Sequence, residues 1–178
     1  MHTRGARGDA VLTRIERAWG ALQQVLDPEV PALSVCELGI VREVNEHGAE
    51  LEVVVTPTYS GCPATELIER QILEAIDTAG LGPARLRLQR SPAWSSDWIS
   101  AEGRRKLKDY GIAPPGPAGA ESVVSIRSLR HRSAPPAIAC PHCASIDTTQ
   151  LSAFGSTACK ALYRCLACLE PFEYFKPI

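Results

Sequence analysis

The sequence predicts an α/β protein: a two-layer α-β-β-α-β domain with a C-terminal zinc-ribbon appendage. Three observations predict it. Over residues 10–90 apolar residues recur first at helical spacing, then in alternation, then at helical spacing and in alternation again. Two Cys-x-x-Cys pairs, Cys140/Cys143 and Cys165/Cys168, stand close together near the C-terminal end. Between the two lies a stretch rich in proline, glycine and arginine. The expected organisation is an α/β domain over 1–111, a flexible linker over 112–139 and a ribbon over 140–178.

The bulk charge narrows the function classes. Nineteen Lys and Arg against 20 Asp and Glu give a formal charge of -1, which argues against electrostatic attraction to nucleic acid or membranes. No apolar run approaches the roughly 20 residues of a membrane span. The basic residues of Met1–Asp9 are not followed by an apolar signal core, so a cytoplasmic location is expected. Seven cysteines in a reducing compartment then read as metal ligands or reactive thiols before disulfides.

Each element has its own signal. Val11, Ile15, Ala18, Trp19, Leu22, Val25 and Leu26 predict an amphipathic helix over about residues 10 to 26. Asp27-Pro28-Glu29 ends it, because the residue before a proline is pushed out of the helical region. Gly39–Asn45 and Leu51–Val55 read as a hairpin turning at Asn45-Glu46-His47-Gly48, with His47 a solvated tip residue. Ile68, Ile72, Ala75, Ile76 and Ala79 give a second helix closed by Gly80. Arg85-Leu86-Arg87-Leu88-Gln89-Arg90 alternates, so it is a strand with one dry and one basic face, parallel to its predecessor across the helix. Trp94 and Trp98 follow in a loop, either capping the core or forming an aromatic docking patch. Ser100 caps a last helix ending before Gly111.

The stretch Thr56-Pro57-Thr58-Tyr59-Ser60-Gly61-Cys62-Pro63 joins the second strand to the second helix. Pro63 suits the first helical position, which places Cys62 at or beside the N-cap. A thiol there faces the positive end of the helix dipole and free N–H groups, which favours the thiolate. Cys62 is thus a candidate nucleophile or metal ligand, with Thr58 among the hydroxyls around it. A cysteine between a strand and a helix also suits a small buried hydrophobe.

In the linker, Arg127, Arg130, His131 and Arg132 give local positive charge between prolines, the mark of a solvated tether. Beyond it, Cys140, Cys143, Cys165 and Cys168 supply four thiolates from two tight turns. About 40 residues cannot build a stable core unaided, so a closed structural zinc would supply the missing folding energy. An iron–sulfur cluster is the competing occupant. Cys159 is a fifth thiol, packed or redox-active, and His142 is expected to point away from the ion.

Asp27-Pro28-Glu29, the hairpin and the Cys62-Pro63 turn resemble the small α/β family associated with iron–sulfur cluster assembly. The resemblance narrows with Pro57–Glu66, Pro92-Ala93-Trp94, Asp97-Trp98 and the run Phe154–Cys165. These look like the D-subunit family of bacterial phenylacetyl-CoA epoxidases. That resemblance implies a place in aerobic phenylacetate catabolism, beside a diiron oxygenase and its reductase component, as an accessory protein that helps install iron or an iron–sulfur cluster. No paired Glu-x-x-His helices are present for a diiron site, so no catalytic residue is assigned. In that reading Cys62, with Asp27 or Glu29 across the loop and Thr58 beside it, holds iron or a labile cluster transiently. One thiolate is too few ligands, so a homodimer or a partner completes the shell. The ribbon and the Trp94/Trp98 loop dock the client.

Two rival readings use the same residues. In one, Cys62 is an enzyme nucleophile with His47 as base, but no orienting third group or oxyanion motif accompanies them. In the other, the ribbon is a nucleic-acid or protein-binding adaptor. Three basic and three acidic residues between Ile138 and Ile178 are a weak phosphate footprint.

Overall fold

The computed structural model describes residues 12–59, 64–118 and 137–178. The first eleven residues, the Cys62 turn at 60–63, and the 119–136 stretch with its arginines and His131 lie outside the described residues.

Helix α1 (Arg14–Leu22) opens on a reciprocal cap: Thr13 Oγ1 accepts the Glu16 N–H, and Glu16 Oε2 accepts the Thr13 N–H at 2.7 Å. It ends four residues earlier than its apolar repeat suggests. The Val25 carbonyl is taken by the Val35 N–H at 2.9 Å, and Leu26 bridges Ser34, so the end of the repeat is folded back as loop.

Strands β1 (Val41–His47) and β2 (Glu50–Val55) form the expected antiparallel hairpin. Its turn is tighter than expected, at Gly48-Ala49, where Gly48 takes φ 62°. Helix α2 (Thr65–Thr78) then crosses to β3 (Ala84–Leu88), which pairs parallel with β2, giving the order β1-β2-β3. Leu51, Val53 and Val55 share one core with Leu22, Ile72 and Ile76. On the opposite face Glu52 sits between Arg85 and Arg87, at 2.9 and 3.1 Å, so the basic stripe of β3 is paired with carboxylates of the hairpin.

After a short 3-10 turn at Ser96–Trp98, helix α3 (Ala101–Asp109) starts under the Ser100 hydroxyl, which accepts the Gly103 N–H at 2.9 Å. The chain leaves it at Gly111, φ 88°. The linker expected from residue 112 does not begin there. Ile112–Ala113 form β4, paired parallel with the ribbon's last strand, because both side chains have an apolar place to bury. Strands β5 (Thr148–Ser152), β6 (Lys160–Cys165) and β7 (Pro171–Phe175) complete a second sheet in the order β4-β7-β6-β5.

The ribbon is docked on the α/β unit. Phe175, 2 % exposed, enters the first core with its ring 6.2 Å from that of Trp94. Cys159 and Ile112 join the same core, and the Ser96 N–H donates to the Ile178 carbonyl at 3.0 Å.

Candidate metal centre and adjoining clefts

Cys140 and Cys143 stand on one turn before β5, and Cys165 and Cys168 on the turn from β6 to β7. The four Sγ atoms all lie within 4.8 Å of one another, with 3.7 Å from Cys140 to Cys168 and 3.6 Å from Cys143 to Cys165. Four sulfurs held about 2.3 Å from a central zinc stand about 3.8 Å apart, so the donor set fits a closed tetrahedral site. The backbone prepares it. The Cys168 N–H donates to Cys165 Sγ at 3.4 Å, and this bond, with one from Ala167, holds the Cys165 thiol down at about 7. Each turn is completed by a left-handed residue after its second cysteine, Ala144 at φ 62° and Leu169 at φ 66°.

The other described thiols take no part in this group. Burial pushes the Cys159 thiol up, and its Sγ lies 3.0 Å from Thr157 Oγ1 inside the first core. Burial raises Cys36 to about 12. His142 stands apart from the four-sulfur group, as expected, and its ring lies over Gly111.

The Asp27-Pro28-Glu29 turn is built by its own first side chain. Asp27 Oδ1 accepts the N–H groups of Glu29 and Val30 at 2.9 and 2.7 Å, and burial nonetheless raises its pKa. Asp27 is therefore a turn-former with its carboxyl sealed at 6 % exposure, while Glu29 remains half-buried at the surface. Glu29 lines a cleft of about 480 Å³ facing the ribbon, shared with His142, Lys160 and Glu173. Lys160 is almost completely buried there, its Nζ 2.8 Å from Glu173 Oε2 and 3.4 Å from the Glu29 carbonyl. Sequence reasoning left out Lys160, whose only signal was a lysine amid strand residues.

Thr58 lines a different cleft, at the ends of β2 and β3, so the described residues do not place it with Glu29. Helix α2 takes Ala64 as its N-cap, two residues beyond the cap position expected for Cys62, because the Ala64 carbonyl accepts the first helical bond, from the Ile68 N–H. Cys62 itself lies outside the described residues. Of the two places open to Trp94, the structure gives it the one in the core: it is 4 % exposed, and its indole N–H donates to the Leu38 carbonyl at 3.0 Å. Trp98 stays half-exposed, with the Arg42 guanidinium 3.7 Å from its ring centre.

The fold and the four-sulfur group define a small α/β domain that carries a four-cysteine, metal-binding β-ribbon. Residues 15–83 match the family described as iron–sulfur cluster assembly protein, and residues 125–176 match the PaaD zinc beta ribbon domain. Over 165 residues the chain is 47% identical to the D component of the 1,2-phenylacetyl-CoA epoxidase of Escherichia coli (strain K12), covering 93% of this chain and 94% of that one. The chain belongs to the D-component family of phenylacetyl-CoA epoxidases. It is also 29% identical over 87 residues to the Fe-S protein maturation auxiliary factor YitW of Bacillus subtilis (strain 168), covering 48% of this chain and 84% of that protein. Among solved structures, a domain of unknown function (DUF59) from Bacillus anthracis shares the fold at a TM-score of 0.50 and 22% identity, covering 53% of this chain and 91% of that one. Among the described residues no helix is long and apolar enough to cross a membrane.

Proposed function

We propose that this chain is a non-catalytic maturation component of the phenylacetyl-CoA epoxidase system, delivering iron or an iron–sulfur cluster to the oxygenase or reductase component in the cytoplasm. The observation that carries the reading is that one relative, named as the D component of that epoxidase, aligns across both the assembly-type unit and the ribbon. The relative named as a maturation factor matches about half of this chain.

In this reading the iron is cargo. Cys62 is its transient thiolate ligand, with Thr58 beside that loop, while Glu29, on the turn that Asp27 shapes, offers a carboxylate in the separate cleft facing the ribbon. A second copy or the client supplies the remaining ligands, since one thiolate cannot hold a cluster. Cys140, Cys143, Cys165 and Cys168 hold a structural zinc, which supplies folding energy to the ribbon and leaves no open position for chemistry. Client docking falls to Trp98 and to the exposed Ile146, Leu166 and Leu169 around the metal turns. Neither nucleic acid nor membrane is a partner.

The test is co-expression of the epoxidase components with wild-type chain or with Cys62→Ala. Iron per oxygenase and the absorption spectrum of the anaerobically purified reductase are the readouts. Loss of loading, with the circular dichroism of the variant unchanged, is the expected result; full loading by the variant overturns the reading.

A further inference from the structure

Strands β2 and β3 run parallel and end side by side, with α2 starting between them. In open α/β sheets, the crevice outside the carboxyl ends of such strands is where ligands bind. Here that crevice is a cleft of about 630 Å³, within the range of small-molecule sites. Three independent features in it face the same kind of ligand. Thr56, 1 % exposed, lines the cleft with its Oγ1 unpartnered, although its backbone N–H is satisfied by the Ile40 carbonyl. A buried hydroxyl without a partner costs stability, and a ligand oxygen would satisfy it. The first turn of α2, a 14-residue helix, has no side-chain cap at Ala64, so the positive end of its dipole and its first N–H groups lie at the cleft, with Glu66 the acidic residue of that turn. Arg90 lines the cleft and makes no ion pair among the described residues. Thr58 and Thr65 add hydroxyls, and Leu88 and Trp94 an apolar wall; Glu66, on the exposed rim, and Ile178 line it as well.

We propose that this cleft binds the oxyanion of a small organic ligand, a carboxylate or a phosphate ester, whose apolar part rests on Leu88 and Trp94. The anion accepts from Thr56 Oγ1 and the first turn of α2 and pairs with Arg90. The cleft shares Thr58 and the start of α2 with the loop that carries Cys62, but the contacts assigned to the anion do not include the thiol.

The test is a titration of the zinc-loaded full chain with inorganic phosphate and, separately, with phenylacetate, followed by amide NMR shifts and melting temperature. The expected result is a saturable shift of the Thr58, Thr65 and Glu66 amides. A response to phosphate alone assigns the site to phosphate esters, and a response to phenylacetate alone assigns it to carboxylates. Arg90→Gln should weaken binding about tenfold, the loss of one charge-assisted contact. Thr56→Val should weaken it similarly while leaving the melting temperature equal or higher, because the orphaned hydroxyl is gone. Thr56→Ser should bind as wild type. Absence of any shift with both probes, or unchanged affinity in both Arg90→Gln and Thr56→Val, overturns the proposal.

Discussion

Replacing Lys160 by methionine removes the ammonium that joins the ribbon to the Asp27-Pro28-Glu29 turn. The substitution keeps most of the aliphatic stem, so the loss is electrostatic. It strands Glu173, whose Oε2 has Lys160 at 2.8 Å, and it leaves the Glu29 carbonyl without its donor. Breaking a buried pair on one side costs about 3–5 kcal/mol. Glu173 keeps the Ser156 N–H at 2.6 Å and its side chain is 23% exposed, so water relieves part of the charge. The lower end, about 3 kcal/mol, is therefore expected, or roughly a hundredfold in the folding equilibrium. In Lys160→Met/Glu173→Gln no bare carboxylate remains, so the double variant should be less destabilised than the sum of the singles by about 2 kcal/mol. Urea unfolding followed by tryptophan fluorescence, with zinc present throughout, measures the cycle.

The same pair predicts a pH dependence. Burial pushes the Glu173 carboxyl up, but Lys160 and the Ser156 N–H outweigh it and leave its pKa lowered. A carboxyl whose folded pKa is lowered contributes stability above its unfolded value and loses it as pH falls through the folded one. The gap between wild type and Lys160→Met should therefore be full near neutrality and narrow on acidification below the usual carboxylate range. A cost below about 1 kcal/mol, or simple additivity in the double variant, would refute the clamp.

Two further outcomes follow from the metal turns. Chelation should remove β-structure from residues 140–178 and yield a colourless metal, read by circular dichroism and elemental analysis; a coloured protein with iron in place of zinc would contradict the closed zinc site. Leu169→Gly should stabilise the zinc-bound chain by about 1 kcal/mol, because a left-handed backbone strains any residue with a Cβ. Leu169 is 59% exposed, so little packing is lost; a lower melting temperature for Leu169→Gly would show that the turn is not strained.

Local signals carried much of this architecture. The helical repeat of Ile68, Ile72 and Ile76, the Ser100 cap and the paired cysteines each act within a few residues, and each appears in the structure as the chain implies. What was not legible depends on distance. Trp94 lies in a polar loop whose composition gives no hint that Phe175, 81 residues on, meets its ring. Nothing near Lys160 in the chain signals that the fold brings Glu29, 131 residues away, against it. Asp27 reads as a ligand because carboxylates bind metals, yet its nearest demand is the pair of N–H groups just after it. The end of α1 was misplaced for a related reason: its final apolar residues serve the loop at Val35 rather than another turn of helix.

Phe175 also bears on how the molecule is made. The wall it completes belongs to a unit whose other strands are translated long before it, so a growing chain carries an unfilled notch beside Trp94 until β7 arrives. Closure of that notch joins the two halves into one cooperative body late in synthesis. An excised first half should consequently be soft at the Trp94 edge, and the ribbon, besides gripping its ion, serves as the plug.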